Sequence, residues 1–451
     1  MLQVFSISIY LVIFIPIWVL RKVTGFSRFG RRFHLQPSAW DRPVGVDASL
    51  PTAMAQYSTR SIFLKIWGAI FLSSLATFFL LMVLAARVFN DSTSPLASNM
   101  IVLTQWIPAV LALPLIRRAG ARYSARNLLL GAEFASALIV PSLGLISGAY
   151  YAMIVLLLVK GGLDSLSKMA RAVALKSYFT DQSLHRAASY YNTAMLAGAG
   201  IGALLGAILL SVLPLGAILG ICTLCHMLAG YLYTRLPAPQ AAITTVTANK
   251  QSAYVTPADP RLRISIIYYI STVVLFQGFQ NVARSVFPTE QLGMSSSGIA
   301  LIQTIASFTY IIGAVLAARL DLSGKRYNVI APMVHVFTLA LLVPLPFITQ
   351  VFPGLAMYGI FALVFELAWS VHQRYMIVAA PPEQISKIVA NANAIGLGMM
   401  IIVALLGSIL VEHIGFGIVT LAFIVLAVIV PVLMRVFVGK PREPLVVTDG
   451  E

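Results

Sequence analysis

Three charged side chains share one face of a strongly apolar segment between Tyr150 and Leu210. Lys160, Asp164 and Lys168 follow one another at intervals of four residues. Four residues advance a helix only about 40° beyond a full turn, so these side chains line up along it. Within a membrane, such a charged face is stable only against protein or water. The spacing therefore predicts a polar interior within the apolar part of the protein.

A second acidic residue, Glu366, lies in another apolar segment and has no basic residue four positions away. A carboxyl group that is held out of water without a cation is a candidate for binding and releasing a proton. Asp164 is the matching candidate, although Lys160 or Lys168 could instead pair with it and only fix helix packing. We therefore take Glu366 and Asp164 as proton-coupling candidates, with Glu366 as the better proton carrier.

Other polar and aromatic residues in the apolar segments are candidates for binding a small molecule. Amides are less costly there than charges, and they can orient a polar ligand. An aromatic ring on the same helical face as Glu366 can stack on a planar ligand. The alternative for these residues is ordinary helix–helix packing and hydrogen bonding. The substrate-binding candidates are Lys160, Gln277, Gln280, Asn281, Trp369 and Gln373, and Arg284 lies in the same apolar segment as the first two glutamines and Asn281.

The composition is that of a polytopic membrane protein. Of the 451 residues, 59% are hydrophobic and only 10% are charged, and the mean hydropathy is +0.89. A soluble protein has about 25% charged residues. The net charge of +16 does not indicate nucleic-acid binding, because Lys and Arg collect in loops on one side of the predicted membrane.

The sequence contains no strong pattern for enzyme or cofactor chemistry. No glycine-rich ATP-binding loop occurs, and we find no convincing nucleophile–base pair or metal triad, so we expect neither an enzyme nor a cofactor. Cys222-Thr-Leu-Cys225-His226 spells a haem-attachment pattern. It lies deep in an apolar segment, so we expect no haem or metal there. Glu133, His226 and His335 are expected to be packing partners.

The apolar segments predict thirteen membrane spans. Residues 1–20 form an extra span followed directly by basic residues, which predicts an external amino terminus. The next twelve segments are numbered here span 1 to span 12. They lie near 61–86, 97–116, 127–147, 150–169, 188–211, 213–234, 262–287, 295–318, 328–349, 353–373, 388–411 and 414–437. Most have about 20 residues, enough for roughly 30 Å of hydrocarbon.

The basic residues predict the orientation of the chain. They cluster at 117–126, 171–186, 235–263, 319–326, 374–387 and 435–442. By the positive-inside rule these loops and the carboxyl terminus are cytoplasmic, in a cytoplasmic (inner) membrane. The predicted parts are an extra helix and loop at 1–60, a first bundle at 61–234, a cytoplasmic linker at 235–261, a second bundle at 262–438 and a cytoplasmic tail at 439–451.

The two predicted bundles are related as a tandem repeat. Gly120-Ala-Arg122-Tyr123 follows span 2, and Gly324-Lys-Arg326-Tyr327 follows span 8. Asp164 precedes the pair Asp181-Gln182 by the same distance along the chain as Glu366 precedes Glu383-Gln384. Several matches at a near-constant offset indicate a duplicated six-helix unit. Repeats of this kind are the architecture of one large class of secondary transporters.

Over about residues 61–437 the chain resembles the major facilitator superfamily. Pro114-Leu-Ile-Arg-Arg-Ala-Gly-Ala-Arg122 resembles the signature loop of that family after the second span, without its usual Asp. The counterpart in the second half, Ala317-Ala-Arg-Leu-Asp321-Leu-Ser-Gly-Lys-Arg326, keeps an Asp. In span 5, Gly202-Ala-Leu-Leu-Gly206-Ala207 resembles the glycine-rich antiporter motif of exporters, with Ala in place of its Pro and of one Gly. The nearest resemblance is to the branch of siderophore exporters and macrolide efflux proteins.

The resemblance implies an all-α polytopic membrane protein of two six-helix bundles, with spans 1, 4, 7 and 10 around a central cavity. It implies proton-coupled transport by alternating access and export of a small organic molecule, such as a siderophore-like chelator or an amphiphilic drug. The expected protein is a monomer in the lipid bilayer that binds its substrate and protons but no nucleic acid. Import of a metal–chelate complex, or sensing of a ligand without transport, is the alternative. The gating candidates are Arg117, Arg118, Arg122, Asp321, Lys325 and Arg326.

Overall fold

The computed structural model describes residues 59–146, 148–179, 181–237, 260–320, 326–380 and 385–438. In these ranges the regular structure is helical and no strand occurs. The predicted helix at 1–20, the basic segment after it, most of the predicted linker at 235–261 and the predicted tail lie outside the described residues.

The first half contains six helical spans in the predicted order. Proline divides span 2, because its ring removes a backbone N–H and clashes with the preceding turn. Pro108 and Pro114 lie in the first turn of its second and third pieces. Spans 1 to 6 comprise Thr59–Ser92; Pro95–Leu103, Ile107–Leu111 and Leu113–Arg122; Ala125–Leu145; Tyr150–Tyr178; Asp181–Leu209; and Leu215–Thr234.

The second half repeats the pattern, with the irregularity now in span 7. Two π-helical turns interrupt this span, and such wide turns are frequent at functional sites. Span 7 comprises Pro260–Ser271, Thr272–Gln277, Gly278–Val286 and Phe287–Gln291. Spans 8 to 12 comprise Ser297–Arg319, Arg326–Leu342, Val351–Ala379, Ile385–Ile414 and Phe416–Val438, with a short 3-10 turn, Leu345–Phe347, after span 9.

Nine helices among the described residues are long and apolar enough to cross a membrane. Spans 2, 4 and 12 are not among the nine. Span 2 is divided into three short helices, span 4 carries the charged stripe, and the described apolar part of span 12, Phe416–Ile429, is short. The chain nevertheless places a helical span at each of the twelve positions that the sequence predicts. The protein is therefore a multi-pass membrane protein of two six-helix bundles.

Each half has its own apolar core. The core of the second half is rich in aromatic rings that meet edge to face, such as Phe279 against Phe361 and Phe423. In the first half, Phe79 and Leu80 of span 1 are fully buried against aliphatic side chains of spans 2, 3, 4 and 6. These cores fix the helices that carry polar residues between the halves.

Glycines in span 5 let it pack directly on the backbone of span 1. A Cβ atom added to Gly198 would lie 2.4 Å from the carbonyl oxygen of Phe71, and one added to Gly202 would lie 2.3 Å from that of Leu75. Both distances are far below van der Waals contact, so only glycine fits this approach. The third glycine, Gly206, would meet side chains at an ordinary 3.6 Å.

We expect Gly202→Ala to lower the thermal stability of the purified protein. The new methyl group collides with backbone, which yields less readily than a side chain, and overpacking of this kind costs about 1–3 kcal/mol. Gly220→Ala in span 6 is the matched control, because no atom of the described residues lies within 4 Å of its added Cβ atom. Thermal unfolding of both variants in the same detergent gives the comparison. Equal unfolding temperatures would contradict the proposed close approach.

Candidate substrate cavity

A cavity of about 250 Å³ lies between the two halves. Its wall includes spans 1, 4, 7 and 10, as the family resemblance implies, and also spans 2, 5 and 8. The polar and aromatic side chains of the wall are Ser73, Ser74, Thr77, Phe78, Gln105, Trp106, Asp164, Lys168, Arg171, Asn192, Gln277, Gln280, Arg284, Gln303, Ser307, Tyr310, Phe365, Glu366, Trp369, Ser370 and Gln373. The cavity is therefore a polar space at the junction of two apolar bundles.

Six of the eight predicted coupling and binding residues line this cavity: Asp164, Glu366, Gln277, Gln280, Trp369 and Gln373. Lys160 and Asn281 are buried behind the wall instead. The ammonium group of Lys160 donates to the Thr77 hydroxyl at 2.9 Å and to the Asp164 carboxylate at 2.9 Å. The Asn281 oxygen accepts from Arg284 at 2.8 Å. Both residues thus hold cavity-lining side chains in place.

The charged stripe of span 4 is divided between two partners. Asp164 pairs with Lys160, which is the structural ion pair that the sequence left as an alternative. Lys168 lies over the ring of Trp106, with its ammonium nitrogen 4.5 Å from the ring centroid. Trp106 reaches this position because span 2 is broken there and packs closely on Gly161, whose added Cβ atom would lie 2.1 Å from the carbonyl oxygen of Thr104.

Glu366 is the carboxyl group of the second half of the cavity. It is only 7% exposed, and its Oε1 atom accepts a hydrogen bond from Ser370 at 2.9 Å. In the part of the chain that the structure describes, Glu366 takes part in no ion pair; Lys160–Asp164, Arg171–Glu133 and His226–Glu133 are the pairs present. Asp164 and Glu366 therefore line one cavity with different surroundings.

A buried charge network connects the cavity to spans 1, 3 and 6. Arg171 donates to Glu133 at 3.0 Å and to the Ser73 hydroxyl at 2.8 Å, while His226 lies 2.8 Å from the other oxygen of Glu133. The side chains of Glu133 and His226 are almost completely buried. Glu133 and His226 are thus packing partners, as the sequence predicts. His335 is also buried, and its Nε2 atom lies 3.1 Å from the carbonyl oxygen of Ala427.

The sequence interpretation missed Lys168 and Arg171 as site residues, whereas it grouped Arg284 with the amides of span 7. For Arg284 a signal was available, because Gln277, Gln280 and Arg284 follow the spacing of one helical face. The polar side chains of span 8 were also not predicted as site residues, although Gln303, Ser307 and Tyr310 line the cavity. Arg171 could not have been assigned from its own neighbours, because its acidic partner lies on another span.

The two halves are joined beyond one end of the cavity, at the side predicted to be external. Ser94 and the backbone N–H of Leu96, at the start of span 2, both donate to the Glu412 carboxylate of span 11. Deeper along the same helices, the Asn99 side chain donates to the Ser408 hydroxyl at 2.8 Å. These bonds must break if the halves separate on this side.

The predicted gating residues are described only in part. Arg118 and Arg122 are exposed, and Arg122 lies over the ring of Tyr123 at 5.7 Å. Arg326 begins span 9 and is exposed. The Arg117 side chain, Asp321 and Lys325 lie outside the described part of the chain. The gating role of these loops stays a prediction.

Comparisons with known proteins agree on the fold. The sequence profile of the Major Facilitator Superfamily matches residues 266–451. Among curated protein sequences, none matches this chain. A solved structure of a mutant of the nucleoside transporter NupG is 14% identical, with a TM-score of 0.67, over 84% of this chain and all of that one.

A bacterial homologue of the human lysosomal transporter Spinster, in an inward-facing and unoccupied conformation, is 11% identical. Its TM-score is 0.64, over 87% of this chain and all of that one. At sequence identities this low, the similarity is one of backbone fold and not of individual side chains. Two six-helix bundles around a polar cavity, together with the matched profile, give this chain the fold of the major facilitator superfamily.

Proposed function

We propose that the protein is a secondary active transporter that moves a small organic molecule across the cytoplasmic membrane by alternating access. The observation that carries this proposal is the cavity of about 250 Å³ between the two halves, whose wall combines amides, aromatic rings and charges. A closed packing core would bury apolar side chains there. The two structural neighbours described above are transporters by name, and they support the same class of function.

We further propose that protons drive this transport through Glu366. The carboxyl group lies in the cavity wall, accepts a bond from Ser370 and forms no ion pair among the described residues. Substrate that enters the cavity changes the surroundings of this group and favours release or uptake of its proton. Asp164 is already balanced by Lys160, so it suits a supporting role in cavity structure.

The proposed direction is outward, and the proposed substrate is a chelator-like or amphiphilic small molecule. The support for direction is the likeness of span 5 to the glycine-rich motif of exporters. The support for substrate size is the cavity volume, which leaves room for part of a drug-sized molecule. The two alternatives are import of a metal–chelate complex and sensing of a ligand without transport. Each predicts a different result in the flux experiment described next.

The test begins with a thermal-shift screen of small molecules against the full-length protein in detergent. Stabilising compounds are then followed into vesicles that contain the protein and have an acidic lumen. A proton antiporter accumulates the compound in the lumen as protons leave, whereas a symporter accumulates it only when the gradient is reversed. Binding without flux under either gradient would refute transport and favour a sensor. Cells that lack the gene should retain the exported compound.

A further inference from the structure

The cavity wall holds more cations than carboxylates. Lys168 and Arg171 contribute positive charge from the first half, and Arg284 contributes it from the second. The carboxyl groups of the wall are Asp164 and Glu366. The identity of the substrate depends on which of these charges are already matched within the protein.

Two of the five wall charges are matched by partners behind the wall. Asp164 pairs with Lys160 at 2.9 Å, and Arg171 pairs with Glu133 at 3.0 Å. Neither pair needs a ligand for charge balance. The remaining wall charges are Lys168 and Arg284, set against the single carboxyl group of Glu366.

Arg284 is the most unusual of these groups. Its side chain is only 4% exposed, and one nitrogen, Nη2, donates to Asn281 at 2.8 Å. The Nε and Nη1 atoms are buried and have no hydrogen-bond partner among the described residues. A guanidinium keeps its charge in proteins, and a buried charge without a counter-ion is strongly unfavourable. The guanidinium of Arg284 therefore favours a ligand that supplies negative charge and hydrogen-bond acceptors.

Other polar atoms of the same wall also lack partners. Within the part of the chain that the structure describes, the Oε1 atom of Gln303 and the hydroxyl of Tyr310, both on span 8, are buried without a hydrogen bond. These atoms and Arg284 belong to one cavity. Buried polar groups are normally satisfied, so unpaired atoms on two neighbouring spans indicate a place where a ligand completes the bonding.

Lys168 provides the second cation from the opposite half. Its ammonium group is held over the face of Trp106, a contact that attracts the cation but leaves its N–H groups able to donate. Trp369 lines the cavity from the second half. A ligand with a flat ring and an acidic group can thus contact both an aromatic face and a cation.

We propose that the cavity binds an organic anion, a molecule with a carboxylate or phosphate group that is held by Arg284 of the second half, while Lys168 of the first half adds positive charge to the same cavity. Such a group accepts charge-assisted hydrogen bonds, which are short and strong, from the guanidinium of Arg284. This inference rests on the proposed function, since it names the substrate class of the same cavity.

The chemistry is tested with four small probes on the full-length protein in detergent: benzoate, phenyl phosphate, neutral benzamide and cationic benzylamine. Titration calorimetry should show benzoate or phenyl phosphate binding at least about tenfold more tightly than benzamide. Arg284→Gln and Lys168→Gln should each weaken binding of the anion by at least about tenfold. Arg284→Lys should retain part of the affinity, because it keeps the charge. Arg60→Gln removes an exposed cation at the start of span 1 and should leave binding unchanged.

The proposal is overturned if neither anion binds, if benzamide or benzylamine binds as tightly, or if Arg284→Gln leaves the affinity unchanged. Flux measurements on the same protein separate this outcome from failure of the proposed function. Anion binding that depends on Arg284, without flux under any gradient, would support the binding site and refute transport. Flux of a neutral compound that is insensitive to Arg284→Gln and Lys168→Gln would support transport and refute the anion site.

Discussion

Replacing Glu366 by glutamine is expected to abolish transport driven by a proton gradient while leaving binding and exchange of the substrate intact. Glutamine keeps the size of the side chain and its hydrogen bond with Ser370, but it cannot bind and release a proton. One charge that crosses a potential of 100 mV provides about 2.3 kcal/mol. Without a proton carrier this free energy is no longer coupled to movement of the substrate. Accumulation of the substrate against its gradient should therefore stop, while its equilibration across the membrane should continue.

Vesicle flux measurements test this expectation with a compound from the thermal-shift screen. Accumulation under an acidic lumen is compared with exchange of labelled for unlabelled compound at equal pH on both sides. Ser370→Ala is the matched control, because it removes the hydrogen bond to the carboxyl group but keeps the carboxyl itself. It should retain accumulation, with at most a shifted dependence on pH. Normal accumulation and an unchanged pH profile in Glu366→Gln would show that the carboxylate is structural.

Asp164→Asn should behave differently, because this residue is paired. The change removes the negative charge that balances the buried ammonium group of Lys160, although the asparagine oxygen can still accept a hydrogen bond from it. Asp164 and Glu366 hold equivalent positions in the sequence repeat, but in the structure Asp164 is paired with a cation and Glu366 is in no ion pair among the described residues. Coupling is expected to depend mainly on Glu366.

The fold was predictable from the sequence because its signals are local and repeated. Apolar segments of membrane-spanning length, a one-sided distribution of Lys and Arg, and matching loops such as Gly120–Tyr123 and Gly324–Tyr327 each depend on neighbouring residues alone. The positions of Asp164 and Glu366 in the cavity wall follow from the same repeat. Pro108 and Pro114 also signalled that span 2 is divided into three short helices, but this division was not predicted.

The pairing of charged side chains around the cavity could not be predicted in the same way from the sequence. Lys168 contacts Trp106 rather than Asp164, and this choice depends on how closely span 2 approaches Gly161. Arg171 meets Glu133 across two spans, a pairing that no spacing in one sequence specifies. Which charges remain unmatched is therefore a property of helix packing. The prediction of an anionic substrate could come only from the structure.

The buried pair of Glu133 and Arg171 is expected to contribute strongly to stability. Glu133→Gln removes the charge that balances the guanidinium of Arg171, which is only 4% exposed. It also removes the carboxylate contact of His226 at 2.8 Å. Breaking a buried ion pair by removing one partner costs about 3–5 kcal/mol, because the other charge is left uncompensated. The variant should therefore unfold at a markedly lower temperature than the natural protein.

A double-mutant cycle separates loss of the pair from loss of the side chain. Glu133→Gln combined with Arg171→Gln removes both charges, so the double variant should be more stable than Glu133→Gln alone. Asp91→Asn is the matched control, since it neutralises an exposed carboxyl group and should change stability by less than about 0.5 kcal/mol. Thermal unfolding in detergent is measured for the natural protein, for Glu133→Gln and Arg171→Gln alone, for the double variant and for Asp91→Asn. If Glu133→Gln unfolds like Asp91→Asn, or if the second substitution brings no recovery, the network does not balance charge in the way that the 3.0 Å contact indicates.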